Sequence, residues 1–136
     1  MTNDNSLMTG TYMKRILSDS ADFTSVLSVD KIFPIVCPAD TNYPYITYTR
    51  DNILPQYTKA ASYGGWTNNV SITYRVYTGN DHDLGEEIAN KLRQTLEWTE
   101  YQDDVIRINP ILLVSSLEFF NEDGFCQQLT FSTQVE

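Results

Sequence analysis

The chain has 136 residues, close to the usual size of one globular domain, so we expect a single domain over residues 1–136. Its 18 acidic and 9 basic residues give a formal net charge of -9. Because tight binding to phosphates depends on clustered Lys and Arg, this composition argues against a nucleic-acid-binding domain. No apolar run is long enough to span a bilayer and the N-terminus does not resemble a secretion signal, so we expect a cytoplasmic protein without a membrane partner.

The first predicted element is a helix from Ser6 to Leu17. Its apolar residues recur every four positions, as on one face of a helix: Met8, Tyr12 and Ile16, with Met13 and Leu17 beside them. Gly10 weakens this prediction because glycine disfavours helix interiors. Ser20 is a suitable N-cap for a further helical turn within residues 21–27.

Two strands bounded by prolines are predicted in residues 31–50. Pro34 cannot donate a ladder hydrogen bond, so the apolar run that contains it should be a short strand or an edge strand. Pro44 precedes a second run, Tyr45 to Thr49, which is rich in the β-branched and aromatic residues that favour strands.

Residues 51–69 lack an alternating pattern and are predicted to form a long loop or a hairpin arm. Two interpretations of this segment stand side by side: its aromatic residues fold back onto the core, or the segment is an arm that docks on a neighbouring subunit. Three of its aromatics and two residues of the strand that follows are therefore candidate subunit-interface residues: Tyr57, Tyr63, Trp66, Arg75 and Tyr77.

The clearest strand is Val70 to Thr78, in which apolar and polar residues alternate. An amphipathic helix is predicted from Asp83 to Trp98, with acidic residues at its start. Three further strands follow, over residues 105–108, 111–120 and 125–135, and the last two are joined by a turn. This order predicts an α+β domain, a mostly antiparallel sheet with two helices packed on it.

No residue pattern indicates catalysis or a cofactor. His82 is the single histidine, and the acids next to it in sequence are explained by helix capping, so we predict no metal site and no catalytic residues. Cys37 and Cys126 have no metal-ligand spacing around them and are predicted to be free thiols, with a bridge between them as the alternative. We expect no enzyme activity and no cofactor.

The order of elements resembles the tail-completion, or tail terminator, proteins of long-tailed bacteriophages and prophages. The resemblance covers nearly the whole chain and rests on short motifs in sequence order: Ile32-Phe33-Pro34, Cys37-Pro38, Tyr43-Pro44-Tyr45-Ile46-Thr47-Tyr48, the strand from Val70 to Tyr77 followed by the helix from Glu86 to Leu96, and Leu129-Thr130-Phe131. Head-tail connector proteins and other minor tail proteins are similar classes and remain alternatives, and a small-ligand-binding domain is a further one.

This resemblance implies a structural protein of the virion tail, assembled in the bacterial host cytoplasm. Its partners would be further copies of itself in a ring, usually a hexamer, together with the tail-tube protein and the head-tail connector. The ring would cap the tail tube, end its elongation and let DNA pass without specific binding. A closed ring needs two different contact surfaces on each subunit.

Overall fold

A computed structural model describes residues 4–56 and 67–136 of the chain. These residues form three α-helices, which are α1 (Thr9–Ser18), α2 (Ala21–Thr24) and α3 (His82–Leu96), with 3₁₀ turns at Ser6–Met8 and Val29–Lys31. They also form seven strands, which are β1 (Ile32–Pro34), β2 (Tyr45–Gln56), β3 (Thr67–Gly79), β4 (Tyr101–Gln102), β5 (Arg107–Ile108), β6 (Leu112–Asn121) and β7 (Gly124–Val135). The predicted α+β class is confirmed.

The strands belong to one sheet, in which the short strand β1 and the four long strands lie in the order β1-β2-β3-β7-β6. Only the β1-β2 pair is parallel, and the other pairs are antiparallel. Strand β5 pairs with the far end of β7, at Ile108 and Val135, and β4 pairs with β5. The strands β1 and β6 therefore form opposite edges of the sheet, and β1 is the short edge strand that Pro34 predicts.

One face of the sheet is covered by the helices. The alternation predicted for β3 is confirmed, because its inward residues Val70, Ile72, Tyr74 and Val76 are fully buried. The apolar face of α3 packs on β3 and β7, and its buried residues are Ile88, Ala89, Leu92 and Leu96. Asp81 caps α3 by accepting a hydrogen bond from the Leu84 amide at 3.1 Å.

Helix α1 packs beside α3 with most of its predicted apolar face buried. Tyr12, Met13 and Leu17 are buried, whereas Met8 is exposed in the preceding 3₁₀ turn. Gly10 has a role in this packing, because a Cβ atom there would lie 3.0 Å from the ring of Tyr48 on β2. The residue that weakens the helix prediction thus allows the helix to lie close to the sheet.

For residues 51–69 a long loop or a hairpin arm was predicted, and the described ends of the segment have the strand pairing of a hairpin. Strand β2 continues to Gln56 and β3 begins at Thr67, and these two residues pair with each other. Residues 51–56 and 67–69 therefore belong to the paired strands of a β2-β3 hairpin. A register shift between Arg50 and Asn52 and the exposure of the residues beyond it explain why no clean alternation is visible in the sequence.

The C-terminal third differs from the prediction in detail. The predicted strand at 105–108 is reduced to Arg107–Ile108, and β4 was not predicted. Helix α3 ends at Leu96 rather than Trp98, because Trp98 has a φ of 67° and its amide donates to the Ile111 carbonyl at 2.7 Å. Both cysteines are free, as predicted, with Cys126 buried and Cys37 half-buried.

Candidate functional site

Among the predicted interface residues, Tyr57, Tyr63 and Trp66 lie outside the described residues. Arg75 and Tyr77 lie on the face of β3 that points away from the helices, and both are half-buried. The Nε of Arg75 donates to Gln128 on β7 at 3.0 Å. The ring of Tyr77 stacks on Tyr45 with centroids 5.1 Å apart. Their role as contact residues remains a prediction, because these interactions are all within the subunit.

The face of the sheet opposite the helices is polar near its centre. Thr73 of β3 is buried there and its hydroxyl donates to Asp51 and lies 2.9 Å from the hydroxyl of Thr130 on β7. Together with the bond between Arg75 and Gln128, these contacts join β2, β3 and β7. The centre of this face therefore consists of hydrogen-bonded polar groups and differs from the apolar surfaces found at the sheet edges.

The first apolar surface lies along strand β6. Four of its large apolar side chains are exposed, including Val114 at 62% and Phe120 at 61%, and we call them the β6 edge: Leu112, Val114, Leu117 and Phe120. Strand β6 pairs with β7 on one side only, and its ten residues are long for an edge strand. A long apolar edge presents unpaired backbone groups beside apolar side chains, which is the usual template for pairing with another chain.

The second apolar surface lies at the opposite edge, next to β1. An open groove of about 380 Å³ is lined by residues of the first turn, α1, β1, β2 and β3, and we call it the β1 groove, whose main lining residues are Leu7, Pro34, Ile35, Tyr48, Arg50 and Ile72. The side chains of Ile35 and its neighbour Val36 are more than two-thirds exposed, at 74% and 71%.

The backbone at Ile35 holds this apolar side chain in solvent. Ile35 has a φ of 66°, a value that β-branched residues rarely adopt. The Val36 amide donates to the Pro34 carbonyl at 2.7 Å, which closes a three-residue turn centred on Ile35, and the Ile35 amide donates to the Tyr48 carbonyl at 2.8 Å. Such strain is typical of functional sites.

A third feature is a group of ionisable side chains at the start of α3. The Nε2 of His82 lies 2.9 Å from Oε2 of Glu118 on β6, and its Nδ1 lies 3.5 Å from Asp83 and 3.6 Å from Glu86. Hydrogen bonds to Glu118 and Asp83 raise the pKa of His82. Glu118 is 36 positions from His82 in the sequence, so local spacing does not indicate that the two side chains meet.

The open grooves of the described residues do not form an enclosed pocket with converging catalytic groups. One of these grooves, of about 490 Å³, runs between α3 and the β6-β7 pair and is lined by polar and charged side chains such as Glu87, Asn90 and Arg93. No helix among the described residues has the length and apolar character needed to cross a membrane. The distinctive surfaces are therefore the β6 edge, the β1 groove and the group around His82.

The sequence of β6 contains a pattern that indicates the exposed apolar residues of the β6 edge. The run Leu112 to Phe120 carries apolar residues at both odd and even positions, although a strand with one solvated face normally alternates. Such a run in a single strand indicates that both faces, or one face and an edge, have contacts. The β1 groove had a weaker signal, because nothing local predicts the positive φ at Ile35.

Comparison with known proteins gives one informative result. No family model and no curated protein matches the sequence. Among solved structures, the chain is similar to one from the virion of a native gene transfer agent (GTA) particle, with a TM-score of 0.77 and 14% sequence identity over 91% of each chain. The similarity extends over nearly the whole of both chains. At this level of identity it shows a shared fold.

Proposed function

We propose that this chain is a structural virion protein that assembles head-to-tail into a closed ring and caps the tail tube. The observation that carries the proposal is the pair of unlike apolar surfaces, the β6 edge and the β1 groove, at opposite edges of one sheet. The shared fold with a chain of a gene transfer agent virion supports a place in a virion, and the resemblance to tail-completion proteins supports the more specific role.

The arrangement of the two surfaces fits a rotational assembly. Three strands separate β1 from β6, so at about 4.8 Å between strands the two edges lie about 19 Å apart. When the β6 edge of one copy contacts the β1 groove of the next, the pair still has one free β1 groove and one free β6 edge. Repetition of that contact gives a ring if the rotation closes, and a hexamer is the size that the resemblance implies.

The remaining parts of the proposal follow from this ring. The tail-tube protein would bind one side of it and the head-tail connector the other, which places the chain in the virion tail after assembly in the host cytoplasm. With a net charge of -9 the subunits would not hold DNA phosphates tightly, so the genome would pass without specific binding. The chain would act through contacts and not as an enzyme.

The proposal is tested by tube assembly with the tail-tube protein. Wild-type chain added during elongation should shorten the tubes and appear as a cap at tube ends in electron micrographs. The double variant Val114→Lys with Leu117→Lys places charges on the β6 edge and should remain monomeric without capping. Gln94→Lys adds a charge on the exposed side of α3 and should cap like the wild type.

Three results would count against this proposal. Tubes whose length is unaffected by the wild-type chain would overturn the capping role. Wild-type chain that forms rings and binds only the head-tail connector would instead place it among connector proteins. Equal capping by the wild type and the double β6 variant would show that the β6 edge is not an assembly surface.

A further inference from the structure

We propose that His82, Glu86 and Glu118 form a binding site for a single divalent transition-metal ion of the Zn²⁺ class. Each residue offers one ligand atom, and these atoms all lie within 4.8 Å of one another. The site joins two elements, since His82 and Glu86 lie one turn apart at the start of α3 and Glu118 lies on β6. One imidazole and two carboxylates are ligands that Zn²⁺ accepts, with water in the remaining position.

The surroundings of the site hold its ligands in place. Gln127 of β7 is 9% exposed, and its Nε2 donates to Oε2 of Glu118 at 2.7 Å. That bond orients the Glu118 carboxylate and leaves Oε1 available. The His82 ring rests against the edge of Phe125, with centroids 5.3 Å apart. Outer contacts of this kind orient metal ligands and are part of a functional metal site.

The charge at the site also favours a cation. Asp83 lies 3.5 Å from His82, so three carboxylates face one imidazole, and even a protonated His82 leaves an excess of negative charge. Arg93 lies further along the same helix, and its Nε lies 3.2 Å from a carboxylate oxygen of Glu97. A divalent ion would balance the carboxylates more fully than one imidazolium does, because it carries twice the charge.

The test is titration of the full chain with Zn²⁺ alone, by calorimetry at pH 7.5. The wild type should bind one ion, and His82→Ala and Glu118→Gln should each lower the affinity by at least about tenfold. Glu87→Gln removes the same charge from the next position of α3 and should stay within about twofold of the wild type. Circular dichroism of each variant establishes that it is folded.

A second readout is the visible spectrum with Co²⁺ in place of Zn²⁺. The wild type and Glu87→Gln should develop the same d–d bands, and His82→Ala should lose them. The proposal is overturned if the wild type shows no saturable binding, or if His82→Ala binds Zn²⁺ as tightly as the wild type, which would indicate adventitious binding by surface acids. The proposal is upheld if the wild type and Glu87→Gln bind Zn²⁺ more tightly than His82→Ala and Glu118→Gln do.

Discussion

Gly124 begins β7 at a position that no larger residue can occupy without a shift of the backbone. Its φ is 91°, and an added Cβ atom would lie 2.4 Å from the Gly79 carbonyl oxygen on β3. Gly124→Ala should lower the free energy of unfolding by more than about 2 kcal/mol, since a left-handed conformation and a backbone clash act together. Urea denaturation followed by circular dichroism measures this.

The matched control for Gly124 is Glu122→Ala in the same turn, where the side chain is exposed. It should change the free energy of unfolding by less than about 0.5 kcal/mol. Equal stabilities of Gly124→Ala and the wild type would mean that the two glycines do not approach each other as described.

Tyr74 is a core residue whose hydroxyl has no hydrogen-bond partner among the described residues. Its ring packs edge-on against Phe131, with centroids 5.9 Å apart, and burial raises the pKa of Tyr74. Tyr74→Phe keeps the ring and removes a buried unpaired group, so the free energy of unfolding should stay the same or rise by up to about 1 kcal/mol. Phe131→Ala should lower it by about 3 to 5 kcal/mol. Thermal denaturation of both variants checks the contrast, and a loss of stability in Tyr74→Phe would contradict it.

His82 gives the protein a pH-dependent contribution to stability. Hydrogen bonds to Glu118 and Asp83 raise the pKa of His82 above 6.5, and bonds from Gln127 and His82 lower the pKa of Glu118 below 4.5. The contribution of His82 to the free energy of unfolding is fully present below pH 6.5 and is lost as the pH rises through the pKa of His82 in the folded protein. The contribution of the Glu118 carboxylate is fully present above pH 4.5 and is lost as the pH falls through the pKa of Glu118 in the folded protein.

The stability difference between wild type and His82→Gln should therefore be largest between about pH 4.5 and pH 6.5 and should shrink toward pH 8. Denaturation midpoints measured across this range in chelator-containing buffer test the prediction without metal. A difference that is independent of pH would contradict the contact between His82 and Glu118.

Strand β1 is followed by a turn in which Ile35 has an unfavourable positive φ and exposes its apolar side chain to solvent. Ile35→Gly removes the strain of a β-branched residue at positive φ and should raise the free energy of unfolding by about 1 kcal/mol. The same change removes an apolar contact from the β1 groove and should weaken self-association in sedimentation velocity. A variant that is less stable than the wild type would mean that the Ile35 side chain stabilises the subunit itself.

Elements with a strong local pattern could be predicted from the sequence. The alternation in β3 and the four-residue spacing of α3 follow from burial on one face, and Ser20 caps α2 as expected, accepting from the Phe23 amide at 3.3 Å. Elements fixed by distant partners could not be predicted in this way. Strand β2 beyond Arg50 is regular because β3 pairs with it, and two-residue strands such as β4 exist only through a neighbour.

The candidate sites depended on the same distinction. The contact between His82 and Glu118 requires α3 and β6 to meet on β7, and no spacing in the sequence encodes that. The β1 groove likewise combines residues from four segments that are distant in sequence. The alternation in β3 is enough to place Arg75 and Tyr77 on the face opposite its buried residues, because that placement needs only the period of a strand.

At the scale of the molecule, the polar outer face of the sheet and the two apolar edges have different consequences. A contact of the β6 edge with itself would be isologous and would stop at a dimer. A contact of the β6 edge with the β1 groove continues from copy to copy and can close as a ring. The proposed ring therefore depends on contact between the β6 edge of one copy and the β1 groove of the next, and not on a contact of the β6 edge with itself.

Native mass spectrometry of two variants and their mixture tests this claim most directly. Wild-type chain should form one closed oligomer, while the double variant Val114→Lys with Leu117→Lys, and Ile35→Asp, should each be monomeric alone. An equimolar mixture should give a 1:1 heterodimer, because one intact β6 edge meets one intact β1 groove. Dimers of Ile35→Asp alone, or a mixture that stays monomeric, would contradict the account.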